Sequence, residues 1–433
     1  MTAPASRPPP PWLFAISAIP YGVSGGFTAI IMPYMADHAG LQLDKIGWFV
    51  TLLFIPPILQ FLYAPIVDIG LARKHWLIVL SCLGAACFFG ALQMKLPDDT
   101  VPFLSLAVAG TLISGLTGSC NGGLMAQLIP DHQRGQASAA LNVGNLSGSA
   151  LSGALVAWMI GNDYNLQLIG VVLVVMMAAP SFAILLITEP ARTKRTVNQL
   201  FGGMFRDVGK VLFSRTGITG VLLCLSPVGT AALTNYFAAM GSKYGASTGE
   251  IALLTGPASA VLNAIGAVVG GLMCDRINRR AVYLLSGLLT AVCGLAMMVS
   301  PRTEMTFVVG GTVYALVTGL CYAAFTATVL ETIGKGGENA STQYALFVAA
   351  GNAAIAYVGL VDTRFSDRYG VEGVVGSDAG LNIIGVVVLG GIFAYLGYFK
   401  SLRHTPQMPP GPAEVVPVAP PAPLPTARVV DPE

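Results

Sequence analysis

The chain has 433 residues, of which 54% are hydrophobic and 10% charged, with a mean hydropathy of +0.70. Soluble domains carry about 25% charged residues, so this composition is that of an integral membrane protein. The net charge is only +2, and Lys and Arg lie in connections without interleaved aromatics, which excludes a nucleic-acid partner.

A membrane helix needs about 20 apolar residues, and twelve stretches meet that length. They are Trp12–Met35, Ile46–Val67, Trp76–Met94, Pro102–Ile129, Ser138–Ile160 and Leu166–Thr188 in the first half. In the second half they are Ile218–Met240, Glu250–Cys274, Ala281–Val299, Thr306–Ile333, Gln343–Asp362 and Gly380–Lys400. The first is too long for a signal-peptide core and has no clear cleavage site, so it reads as a retained helix. The expected division is a tail over residues 1–11, a six-helix bundle over 12–188 and a basic central loop over 189–217. A second six-helix bundle follows over 218–400, then a disordered Pro-rich tail over 401–433. Part of the central loop, Asn198 to Phe213, reads as an amphipathic surface helix. The fold class is therefore all-α integral membrane, with twelve helices in two pseudo-symmetric bundles.

The positive-inside rule supports this count. With both termini cytoplasmic, only Lys45, Lys95, Lys243, Arg302, Arg364 and Arg368 of the 23 basic residues fall outside. The expected location is the inner (plasma) membrane. Trp12, Trp48, Trp76 and Trp158 lie near segment ends, as interface anchors do.

Chemistry that would make an enzyme is missing from the pattern. The seven cysteines form no C-x-x-C, the four histidines no H-E-x-x-H, and there is no G-x-x-x-x-G-K-[ST]. No enzyme activity, metal or other cofactor is expected, and no direct ATP drive. The expected partners are the lipid bilayer and a small-molecule solute, with protons as a candidate coupling ion, and the expected state is a monomer.

Two connections stand out. Gly271-Leu-Met-Cys-Asp275-Arg276-Ile-Asn-Arg279-Arg280 packs one acid and three arginines between segments 8 and 9. Ala64-Pro65-Ile-Val-Asp68-Ile-Gly-Leu-Ala-Arg73-Lys74 echoes it between segments 2 and 3. Two copies of one joint a half-chain apart suggest an internal repeat. A joint this short lets an Asp pair with Arg while the helix ends are close, and separation breaks the pair. Asp68, Arg73, Lys74, Gly271, Asp275, Arg276, Arg279 and Arg280 are the expected cytoplasmic gate.

Small residues also repeat every four positions in segment 4 (Gly110, Ser114, Gly118, Gly122, Ala126) and segment 10 (Gly311, Ala315, Gly319, Ala323, Ala327). Such stripes let helices approach closely. Pro20 and Pro227 are expected to kink segments 1 and 7.

Ionisable residues inside a membrane are functional by default, yet the segment centres hold almost none. Asp68, Glu331 and Asp362 fall at segment ends. The cavity is expected to be lined by uncharged groups, which suits a neutral or zwitterionic solute. Candidate lining residues are Tyr21, Ser24, Asn121, Asn142, Asn145, Asn235, Tyr236, Asn263, Tyr314, Tyr322, Gln343 and Asn352. Interhelical hydrogen bonding is the competing role for these groups. Asp68 and Glu331 are the nearest candidates for carrying protons.

The Gly-x-x-x-Asp-Arg-x-x-Arg-Arg pattern at residues 271–280 resembles the loop signature of the major facilitator superfamily. There it stands between helices 2 and 3 and again between 8 and 9. The first copy here is degenerate: Ala64 replaces Gly, and no Arg follows Asp68. Pro20-Tyr21-Gly22, Phe61-Leu62-Tyr63-Ala64-Pro65 and Ser341-Thr342-Gln343-Tyr344-Ala345-Leu346 resemble the peptide/acetyl-coenzyme A transporter branch. That branch includes AmpG-type muropeptide permeases and siderophore permeases. The resemblance implies alternating access and import of a bulky organic solute. The acidic residues of helix 4 in AmpG-type permeases are absent from Ser119-Cys120-Asn121-Gly122-Gly123. Gly148-Ser149-Ala150-Leu151-Ser152-Gly153 lacks the Gly-Pro of drug antiporters, which disfavours efflux. The alternatives to an importer are a non-transporting sensor or assembly partner on the same scaffold, and a drug-type efflux antiporter.

Overall fold

The computed structural model describes residues 8–190, 209, 213–334 and 339–399. The start of the N-terminal tail, nearly all of the central loop with its expected surface helix, and the C-terminal tail from Lys400 lie outside the described residues.

Long apolar runs become helices because lipid offers no partner for a free N–H or C=O. In the first half these are α1 Trp12–His38, α2 Lys45–Asp68, α3 Arg73–Leu92, α4 Thr100–Leu128, α5 Arg134–Gly161 and α6 Leu166–Leu186. In the second half, α8 is Thr248–Arg276, α9 Arg279–Val299 and α10 Glu304–Ile333. The traverse between them, α7, is broken into Arg215–Cys224, a 3-10 turn Ala232–Tyr236 and Phe237–Lys243. The last helical run, Ala340–Tyr395, is two arms that meet at Gly370, where φ is +64° and ψ −138°. We call residues 340–369 α11 and residues 371–395 α12. Ten of the runs are individually long and apolar enough to cross a membrane; with the hinge and broken α7, the tally is consistent with twelve passes.

Side-chain caps mark several starts. The Asn165 carboxamide accepts from Gln167 N–H, Asn278 from Arg280 and Ala281 N–H, and Ser247 with Glu250 forms a reciprocal capping box. Outward faces keep large apolar side chains exposed, among them Leu151, Val175, Val261, Val292, Leu360 and Val387, as a lipid-facing surface requires.

Three expectations are corrected. Residues 363–379 are not an external loop: the chain stays helical through Tyr369, turns at Gly370 and resumes at once. Asp362 is thus not at a helix end, and the centres are not free of acids, because Asp362 and Asp378 are both buried within helix. Pro20 lies inside unbroken helix; the irregularity of α1 is a π-helical turn at Phe27–Ile31. Pro227, by contrast, does sit where α7 is broken.

Candidate functional site

The two joints come together at one end of the molecule, and each carboxylate reaches into the opposite half. At the α2–α3 joint, Arg73 is fully buried and holds Asp68 at 2.8 Å. Asp68 Oδ2 accepts from Thr342 N–H at 3.1 Å and Thr342 Oγ1 at 2.9 Å, at the first turn of α11. Arg73 also donates to Ser341 Oγ at 2.7 Å and to Gln127 of α4 at 2.8 Å. At the α8–α9 joint, Asp275 accepts from Gly135 N–H at 2.7 Å and Gln136 N–H at 3.0 Å, the first turn of α5. A carboxylate on the free N–H groups of a helix start is a charge-assisted contact favoured by the helix dipole.

The arginines extend the network. Arg279, fully buried, binds Asp131 at 2.9 Å and Glu331 at 3.3 Å, and Arg280 pairs with Glu331. Arg134 donates to the carbonyls of Leu330 and Gly334 at the end of α10, at 2.9 and 2.6 Å. Lys74 acts within its own half, donating to Ile187 O, and Arg276 is exposed. Gly271 lies against Gly135: a methyl group on either would run into the other's carbonyl oxygen. Among the described residues, polar contacts between the halves lie at this end or in the middle. At the other end, contacts such as Gln93 with Leu166 O and Tyr244 with Met297 O stay within one half.

Above the joints lies a cavity of about 380 Å³ between the halves. It brings together Tyr21, Ser24, Asn121, Asn142, Asn145, Tyr322 and Asn352, and among the described residues no charged side chain lines it. Several of these amides are already engaged. Asn121 exchanges two hydrogen bonds with Ser17, tying α4 to α1. Asn142 donates to Tyr322 O and Thr326 Oγ1, bridging α5 to α10. Asn352 donates to Pro57 O, bridging α11 to α2.

The remaining named residues lie elsewhere. Tyr236 bonds Thr363 and Gly359 on α11, beside Asn235. The backbone of Asn263 packs where Gly319 lacks a side chain. Tyr314 is buried against Asp378, and Gln343 is half-buried near the start of α11.

Sequence reading missed other parts of the wall. Gln60 is buried, donates to Gly115 O and Ser119 Oγ, and leaves Oε1 without a partner. Ser226, Val228, Gly229 and Thr230 line the cavity from the broken part of α7, and Thr230 Oγ1 also lacks a partner. Irregular backbone at membrane depth survives only where its polar groups are met. Here Tyr357 donates to Leu225 O, Tyr283 to Val228 O, and Gly229 N–H to Asn382 Oδ1. The Ser-Pro-Val-Gly-Thr run at 226–230 was the available signal.

Comparison with known proteins agrees with this architecture. The family model described as Major Facilitator Superfamily matches residues 14–359, with an overlapping second match over 219–423. The anhydromuropeptide permease of Escherichia coli K12 is 24% identical over 350 residues, covering 76% of this chain and 69% of that protein. Three solved structures share the fold. A human organic anion transporter has 15% identity and a TM-score of 0.66, over 88% of this chain and 100% of that one. The transporter FucP in its outward conformation has 14% identity and a TM-score of 0.65, over 88% and 97%. A proton:xylose symporter has 14% identity and a TM-score of 0.66, over 88% and 95%. With two interlocked joints, a mid-level cavity and a family match over most of its length, the chain belongs to the major facilitator superfamily of membrane transporters.

Proposed function

We propose that the protein imports an uncharged or zwitterionic organic solute of the anhydromuropeptide type by alternating access, as a monomer in the inner membrane. The distribution of Lys and Arg supports taking the joint end as the cytoplasmic side. In this arrangement the cytoplasmic gate is shut by Asp68 and Asp275, each seated on a helix start of the opposite half. That reciprocal capping is the observation that carries the reading, because separating the halves must break both contacts at once. The similarity to an anhydromuropeptide permease supports the solute class. The cavity supports it independently: tyrosines and amides without charge suit sugar hydroxyls and amide groups.

Asp68 and Glu331 both sit against arginines, Asp68 on Arg73 and Glu331 on Arg279 and Arg280. Their role is closure. The test is uptake of labelled anhydromuropeptide into proteoliposomes. The expected result is saturable uptake by the native protein and at least a tenfold loss in folded Asp275→Asn. Normal uptake by a well-expressed Asp275→Asn protein removes Asp275 from the gate, and absence of uptake by the native protein removes the solute assignment.

A further inference from the structure

Two carboxylates lie inside the second half with no cation beside them among the described residues. Asp362 of α11 and Asp378 of α12 are each 0% exposed. Ser377 Oγ donates to Asp362 Oδ1 at 2.6 Å, and Tyr314 OH donates to Asp378 Oδ2 at 3.2 Å. The backbone N–H of Leu233, in the 3-10 turn of α7, also reaches Asp378. The remaining oxygens, Asp362 Oδ2 and Asp378 Oδ1, are buried without any partner.

The groups facing the pair give it no counter-charge. From α9 comes the Cys293 thiol, from α10 the Tyr314 hydroxyl with Tyr322 beyond it, and from α7 the Leu233 backbone. Tyr236 of α7 is turned to Thr363. The nearest basic residues along the chain, Arg364 and Arg368, are exposed at the end of α11, and Arg302 pairs with Glu372. Among the described residues, neither aspartate joins an ion pair.

An ionised carboxylate enclosed this way has lost its water and gained no counter-charge. A proton removes the charge and supplies the donor that an unpartnered oxygen lacks. We propose that Asp362 and Asp378 form the site that carries the coupling proton. This rests on the transport reading above. A proton from the outer aqueous phase forms an O–H bond on one carboxylate, and the same bond breaks on release to the inner phase. No other bond changes.

A side chain of α12 ties the backbone at this site to the cavity wall. Asn382, a turn beyond Asp378 on α12, donates to Asp378 O at 2.9 Å and accepts from Gly229 N–H at 2.8 Å. Gly229 and Thr230 belong to the cavity wall. Deprotonation places like charges behind that wall, on the aspartate that the Leu233 N–H of α7 contacts. Solute binding at Gly229 and Thr230 acts on the same contacts from the other side.

The first test needs no solute. Infrared difference spectroscopy on the purified full chain in lipid reads the C=O stretch of a protonated carboxyl shielded from exchange. The expected band is lost as pH is raised, weakened in Asp362→Asn and in Asp378→Asn, and absent in the double variant. Asp378→Glu and Asp362→Glu keep a shifted band and cover the case in which Asn variants misfold. No titrating band from either residue, or a band removed by sodium but not choline at fixed pH, overturns the proposal. The second test uses labelled anhydromuropeptide in proteoliposomes. Accumulation driven by an inward proton gradient should fall at least tenfold more than counterflow in Asp378→Asn, and equal losses overturn the coupling role. Failure of the native protein to move this probe counts against the solute assignment, while the infrared test still decides the proton site.

Discussion

The α2–α3 joint looks degenerate beside the α8–α9 joint, yet it is the more deeply buried of the two. Asp68 and Arg73 are sealed between the halves, whereas Asp275 is only half-buried and Glu331 retains some exposure. Both joints seat a carboxylate on the opposite half's helix start. They differ in what surrounds it. Arg73 meets its own Asp68 and the neutral Gln127, while Arg279 and Arg280 meet two further acids, Asp131 and Glu331. The first joint is a single enclosed pair with neutral donors and acceptors around it. The second is a spread charge network nearer to water. Closeness to a signature is therefore a poor measure of how firmly a contact is held; burial is a better one.

Substitutions can break or sharpen this contrast. The largest effect is expected for Asp68→Asn, which takes from buried Arg73 the carboxylate it holds at 2.8 Å. Breaking a buried pair from one side costs about 3–5 kcal/mol, seen as a large fall in thermal unfolding temperature in detergent. A small fall would place water at Arg73. Next comes Gly271→Ala. Its methyl meets the Gly135 carbonyl, so closure of this end should weaken more than tenfold, equivalent to about 1.4 kcal/mol. Cross-linking of cysteines placed on α5 and α8 checks it, and unchanged cross-linking shows that the helices can slide apart without opening. Asp275→Asn removes two charge-assisted contacts worth about 1.5–3 kcal/mol each at most. Partial exposure reduces this, and the loss should shrink in high salt, which Asp68→Asn should not show. Glu331→Gln is expected to be mildest, about 1 kcal/mol, because Arg279 keeps Asp131.

Much of this arrangement is legible in the residues. Apolar run lengths give the passes, and the repeated acid-and-arginine connections mark the two joints. The stretch Ser341-Thr342 at the start of the eleventh run carries the receiving side of the first. What hydropathy cannot see is backbone that ignores polarity. Thr363, Arg364, Ser366, Asp367 and Arg368 read as loop, but α11 continues through them before Gly370 turns the chain. That continuation carries Asp378 into the interior, where an apolar-run criterion had placed a loop. The cavity is legible only in part. A polar stripe says which face is not lipid, but Asn263 and Tyr314 satisfy the same pattern by packing inside one half. Whether an amide lines a cavity or ties two helices depends on a partner far along the chain, as Asn142 and Thr326 show.

The break in α7 has a consequence for how the protein is made. Its backbone groups are met by Tyr283 of α9, Tyr357 of α11 and Asn382 of α12. A chain leaving the ribosome presents residues 225–231 to the membrane before any of those side chains exists. Lipid offers those N–H and C=O groups nothing, so the segment must enter as continuous helix or remain wetted. It can take up its final shape only once the last pass is in place. The cavity wall is therefore completed only when α12 is made, and a chain truncated before Asn382 would lack both most of that pass and the side chain that meets Gly229 N–H.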